Sequence, residues 1–143
     1  MRIVKELLHG KGDEIWSIQP QDEVYQAIEL MSEKNIGALL VMNEGRLEGI
    51  LSERDYARKV ILQGRSSRET LAKDIMTSTV LSISSSSTIE DCMRMMTDHK
   101  IRHLPVVDDG AVIGVISIGD VVKAIISDQE QTIEQLERYI AGS

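Results

Sequence analysis

The chain has 143 residues, with 16 Lys and Arg against 23 Asp and Glu, a formal net charge of −7. That acidity argues against broad binding to nucleic acid or anionic membranes, which draws on an excess of Lys and Arg. With 42% hydrophobic and 27% charged residues the composition is that of a folded globular protein, and with Trp16, Tyr25, Tyr56 and Tyr139 as its only aromatics it must build an aliphatic core without a base-stacking platform.

Residues 1–9 mix charge with Leu and lack the apolar core of a signal peptide. The longest apolar run, 111–118, is far short of the roughly 20 residues that cross a bilayer, so no membrane attachment is expected. A short strand is expected at 14–18. A helix then opens at Asp22, with Val24, Ala27, Ile28 and Met31 at the i, i+3, i+4, i+7 spacing of one buried face. An apolar strand at 38–42 meets the turn Asn43-Glu44-Gly45, whose composition suits a hairpin, and a second strand at 47–51 returns to a helix from about Glu53. Residues 63–67 read as a loop and 68–75 as a short helix. The order then repeats. A short strand is expected at 80–83, a helix opens with Ser87 and Glu90 spaced as a capping box, and Ile89, Cys92, Met93 and Met96 form its buried face. Strands at 104–107 and 112–116 flank Asp108-Asp109-Gly110. The last helix, from about Ile118, carries an apolar stripe through Ile133, Leu136 and Ile140 that needs a partner surface.

A shift of 65 residues aligns 17–60 with 82–125 without a gap, and ten of the 44 pairs are identical, among them Gly49/Gly114, Ser52/Ser117 and Asp55/Asp120. Each unit of about 50 residues is marginal alone, so two that share a core are expected.

The duplicated segment Gly-x-x-Ser-x-x-Asp, at 49–55 and 114–120, places a hydroxyl at a strand-to-helix junction and a carboxylate three residues on. A helix N-terminus attracts phosphate, and acidic residues at such junctions accept from ribose hydroxyls in dinucleotide sites. Ser-x-x-Asp is equally a capping box that needs no ligand, and duplication does not separate the two readings. Arg102 and His103 add donors suited to phosphate beside the second junction, where the first copy has Gly37 and Ala38. Between 54 and 68, Arg54, Arg58, Lys59, Arg65 and Arg68 stand against Asp55 alone, a local excess that suits a specific anion or a solvated helix face. The lone Cys92 lies on a buried face, permits no internal disulfide and fits a reducing cytoplasm. The three His show no metal-ligand spacing and no activated nucleophile is visible, so no catalytic residue, no metal and no enzyme activity are expected.

The doubled strand-strand-helix unit, the two Gly-x-x-Ser-x-x-Asp segments, Asp74-Ile75-Met76-Thr77 before the second copy, and Ile101-Arg102-His103-Leu104-Pro105-Val106-Val107 together resemble the cystathionine-β-synthase (CBS) domain pair, or Bateman module, in its small stand-alone form. The resemblance covers about residues 15–126. It implies an α/β (α+β) fold of two tandem β-α-β-β-α repeats packed sheet to sheet with pseudo-two-fold symmetry. The expected organisation is an N-terminal segment 1–9, a first repeat 10–63, a linker 64–73, a second repeat 74–127 and a C-terminal helical extension 128–143. The resemblance further implies a non-catalytic regulatory module, suited to energy sensing, with an adenosine-containing ligand (AMP, ADP, ATP, NAD(H) or S-adenosylmethionine) in the cleft between repeats. Asp120 and Asp55 would hold ribose, Ser117, Ser52, Arg102, His103 and Arg54 would meet phosphate, and Thr79, Val80 and Ile101 would border the base. A homodimer and a regulated partner protein are implied as well. The alternative is a scaffold module whose Ser-x-x-Asp segments only cap helices.

Overall fold

The apolar positions at 24, 27 and 31, and again at 89, 92 and 96, become two helices with those three side chains buried in each. A computed structural model describes residues 2–11 and 14–142. In chain order its elements are α1 (Val4–Lys11), β1 (Ser17–Ile18), α2 (Val24–Lys34), β2 (Ala38–Asn43), β3 (Arg46–Ser52) and α3 (Glu53–Tyr56), which runs on as a π-helical turn (Ala57–Ile61). There follow α4 (Ala72–Ile75), α5 (Ile89–His99), β4 (His103–Asp108), β5 (Ala111–Ser117) and α6 (Ile118–Gly142). They group as two compact units, Glu14–Leu81 in one and Met1–Asp13 with Ser82–Ser143 in the other.

In the Glu14–Leu81 unit β1 lies parallel to β2, and β2 pairs antiparallel with β3 from Ala38 opposite Ser52 to Asn43 opposite Arg46. The hairpin turns through Glu44 and Gly45, both at positive φ, the backbone of a primed turn that Gly adopts without strain. The other unit repeats this hairpin residue for residue: β4 and β5 pair from His103 opposite Ser117 to Asp108 opposite Ala111, with the register irregularity at the equivalent place.

Three expectations shift. The strand at 80–83 shrinks to one parallel bridge, Ile83 to Val106. In the first copy the Leu40 N–H donates to the Trp16 carbonyl at 3.4 Å; its counterpart Pro105 has no N–H to offer Leu81. The capping box of α5 forms one residue downstream of Ser87 and Glu90. The Asp91 carboxylate accepts from the Thr88 N–H at 3.0 Å and the Thr88 hydroxyl accepts from the Asp91 N–H at 3.1 Å. Ser87 is occupied otherwise, its hydroxyl 3.1 Å from that of Ser84 and its carbonyl accepting from the Val4 N–H at 2.8 Å. In the first copy likewise the Glu23 N–H, not that of Asp22, donates to the Gln26 side chain at 2.9 Å. Finally, the helix expected at 68–75 is only α4, because the carbonyls of Ser67 and Thr70 accept from the first N–H groups of α2, at Tyr25 (3.0 Å) and Val24 (2.9 Å).

The segments before the two repeats play one role. Ile3 bridges to Thr88 as Leu71 bridges to Glu23, the Ile89 N–H donates to the Arg2 carbonyl as Val24 donates to Thr70, and Lys5 donates to Ser85 as Lys73 donates to Pro20. Val4 and Leu7 are buried like Ala72 and Ile75. Thus α1 closes the second repeat as α4 closes the first. Among the described residues no helix is long and apolar enough to cross a membrane.

Candidate functional site at the strand-to-helix junctions

Ser52 ends β3 and starts α3. Its N–H and hydroxyl both donate to one oxygen of Asp55, at 3.0 and 3.1 Å, and its hydroxyl accepts from the Asp55 N–H at 3.2 Å. At the end of β5 the Ser117 N–H donates to Asp120 at 2.8 Å and the Asp120 N–H donates to the Ser117 hydroxyl at 3.2 Å. Both Ser-x-x-Asp segments are therefore closed capping boxes. This is what the spacing predicts without a ligand, and it holds each Ser and Asp in one fixed geometry, half-buried, at a helix start.

The surroundings of the two boxes differ. His103 pairs across the hairpin with Ser117, and the Ile118 N–H donates to the Arg102 carbonyl at 2.8 Å, so Arg102, His103, Ser117 and Asp120 meet at one end of the β4–β5 hairpin. Arg102 is exposed and His103 half-buried. Ile101, just before them, is half-buried and ties its N–H to the Met96 carbonyl at the end of α5. In the first copy Gly37 and Ala38 occupy the equivalent places, the Glu53 N–H donating to the Gly37 carbonyl at 3.0 Å. That junction offers no side-chain donor from its first strand.

Charge divides the junctions again. The Lys59 ammonium lies 3.2 Å from the second oxygen of Asp55 and also donates to the Ile75 carbonyl at 3.0 Å. Asp55 thus carries its own counter-ion, a pair whose i, i+4 spacing is visible in the sequence. Ala124 stands where Lys59 does in the repeat, so the second copy lacks the cation at i+4 and has Lys123 at i+3 of Asp120 instead. Of the local basic cluster, Arg68 stacks over the Tyr25 ring at 3.8 Å, while Arg54, Arg58 and Arg65 are exposed. Thr79 is exposed and Val80 half-buried in the irregular stretch after Thr77, within the Glu14–Leu81 unit, together with Ser52, Arg54 and Asp55.

Cys92 is buried beneath α5, and desolvation there pushes its thiol up to about 11, the opposite of an activated nucleophile. Among the described residues no group of three or more His, Cys, Asp and Glu is placed to hold a metal ion. A groove of about 460 Å3 lined by Tyr25, Ile28, Glu29, Ser32 and Glu33 runs along α2 rather than at either junction.

The family model of the CBS domain matches this chain twice, over residues 4–61 and 72–127. The chain belongs to the CBS-domain family. Both CBS matches begin at the lead-in helices, α1 and α4. The mitochondrial CBS domain-containing protein CBSX3 of Arabidopsis thaliana is 41% identical over 136 residues, which cover 92% of this chain and 66% of that protein, just under two thirds of its length. Among solved structures, a protein with CBS domains from Burkholderia ambifaria is 49% identical with a TM-score of 0.86, over 90% of this chain and 96% of that one. The CBS domain pair of protein MJ0100, solved in complex with 5′-methylthioadenosine and S-adenosyl-L-methionine, shares the fold at 23% identity, with a TM-score of 0.80 over 90% of this chain and 98% of that one.

Proposed function

We propose that this CBS-domain chain is a non-catalytic regulatory module that senses an adenosine-containing ligand, and that the junction at Ser117 and Asp120 is its tighter site for a charged nucleotide such as AMP, ADP, ATP or NAD(H). The observation that carries this reading is the meeting of Arg102 and His103 with the Ser117–Asp120 box at one hairpin end, which has no counterpart at Ser52 and Asp55. In this reading Asp120 accepts from ribose hydroxyls, while Ser117, Arg102 and His103 donate to phosphate and Ile101 borders the base. Asp55, with Ser52, Arg54, Thr79 and Val80, forms the weaker site, because Lys59 competes with ribose for the Asp55 carboxylate. The adenosyl ligands in the MJ0100 pair support the ligand class. A ligand shifts the state of the module only through its different affinity for two states, and a regulated protein partner would read that shift.

The closed boxes favour a second reading, a scaffold in which Ser52, Asp55, Ser117 and Asp120 serve only as caps. Thermal shift with AMP, ADP, ATP, NAD(H), S-adenosylmethionine and 5′-methylthioadenosine separates the two, since ligand at 100 times its dissociation constant adds about 2.7 kcal/mol. The sensor reading expects a shift that Asp120→Ala abolishes. Asp91→Ala, which breaks a capping box at α5 instead, should retain it. No shift with any of the six would leave the scaffold, and full affinity in Asp120→Ala would overturn the assignment of the tighter site.

A further inference from the structure

From Gln129 to Gly142 every residue of α6 is exposed, on all faces of the helix. An unsupported helix of that length is marginal in water, and the pairs within it are weak: Arg138 to Glu134 at 3.4 Å and the Thr132 hydroxyl donating to the Asp128 carbonyl at 3.0 Å. The stretch is not uniformly polar. Ile126, Ile133 and Leu136 are 50%, 56% and 57% exposed, and with Val122, Gln129 and Ile140 they recur at alternating steps of four and three residues, the seam of a heptad repeat.

We propose that α6 pairs with the same helix of a second copy of this chain as a parallel, in-register, two-stranded coiled coil along this seam. The identity of the seam residues selects the strand number. Ile126, Ile133 and Ile140 fall at position a and Leu136 at position d, the combination that favours two strands. The polar residues select the direction. In parallel register Gln129 meets Gln129 of the second copy and the two amides hydrogen-bond across the seam, while Glu137 faces Thr132. With the stretch reversed about its centre, Gln129 would be buried against Ile140 without a polar partner and Glu130 would face Glu137, a like-charge contact. The self-complementary seam needs no other protein, and the proposal stands whether or not a nucleotide binds.

The test uses the full chain. Analytical ultracentrifugation at high micromolar concentration should give a dimer. Gln129→Cys should form an interchain disulfide under mild oxidation, because a d-position side chain meets itself only in parallel register. Buried Cys92 supplies no competing thiol. Ile133→Asp with Leu136→Asp, at exposed positions that leave unfolding of the monomer unchanged, should suppress that disulfide and weaken the dimer by at least about tenfold. A monomeric wild-type chain, a dimer in which the Gln129→Cys variant does not cross-link, or a cross-link undiminished by the two Asp substitutions would each overturn the proposal.

Discussion

Asp108 illustrates how one side chain sets a local pH response. Its carboxylate accepts from the N–H of Ser85 at 3.0 Å and from the Ser85 hydroxyl, with Lys5 nearby, and these donors hold it below the usual carboxylate range. A group whose pKa is lower in the folded state contributes stability that is present above its ordinary pKa and is lost as pH falls through the folded value. Asp91, held down by Thr88, acts with the same sign. At the equivalent place the first copy has Asn43, whose amide donates to Glu48 at 3.2 Å and does not titrate. Asp108→Asn should therefore flatten the fall of the urea midpoint below about pH 4, the range in which Asp titrates. Parallel curves for variant and wild type over that range would show that the Ser85 contact carries no such linkage. Residues of this kind were half legible in the sequence. The Ser-x-x-Asp boxes at 52 and 117 fall where spacing puts them, but the α5 cap moved to Thr88 because the hydroxyl of Ser87 is spent in its own turn.

Elements were legible wherever apolar periodicity was strong, as in α2, α5 and both hairpins, and illegible where a neighbour overrode local pattern. Pro105 withdrew the donor that a strand at 80–83 needs, and α2 drew on the carbonyls that would have begun a longer α4. The role of α1 escaped for a different reason. Val4-Lys5-Glu6-Leu7-Leu8 and Ala72-Lys73-Asp74-Ile75-Met76 are 68 residues apart, so an ungapped comparison at 65 misses them. Two glycines mark where these helices dock. A Cβ on Gly49 would lie 2.6 Å from the Met76 sulfur and 3.0 Å from the Thr77 carbonyl oxygen, whereas on Gly114 it would lie 2.6 Å from Cδ2 of Leu8. The leucine tip can move, but the carbonyl is held by the Ile50–Thr77 hydrogen bonds at 2.9 and 3.0 Å. Gly49→Ala should thus be the costlier change, within the roughly 1–3 kcal/mol of overpacking, and Gly114→Ala the milder. Urea denaturation of both variants checks the order, and equal losses would show that the Thr77 carbonyl yields as readily as a side chain.

At the scale of the whole molecule, each unit is a repeat completed by a short helical segment from outside it, α4 directly after the first repeat and α1 far ahead of the second. Deleting residues 1–11 removes Val4 and Leu7 from the core of the unit holding the second repeat, along with the partners of Ser85, Ser87 and Ile89 in backbone pairing. Hydrogen exchange should then speed up throughout α5, β4 and β5, while α2, β2 and β3 keep their protection. Protection lost equally in both sets would mean that the units do not open independently. The junction proposed as the tighter ligand site lies in the unit that α1 completes.

That arrangement also orders synthesis. The Glu14–Leu81 unit is continuous in sequence and can close as soon as it has left the ribosome, whereas Ile3 must wait, unpaired, for Thr88 to be made. The apolar face of α1 is therefore made well before the residues that cover it, with the whole Glu14–Leu81 unit in between. In a growing chain it is the exposed segment a chaperone would meet, and the stretch most open to capture by a neighbouring nascent copy.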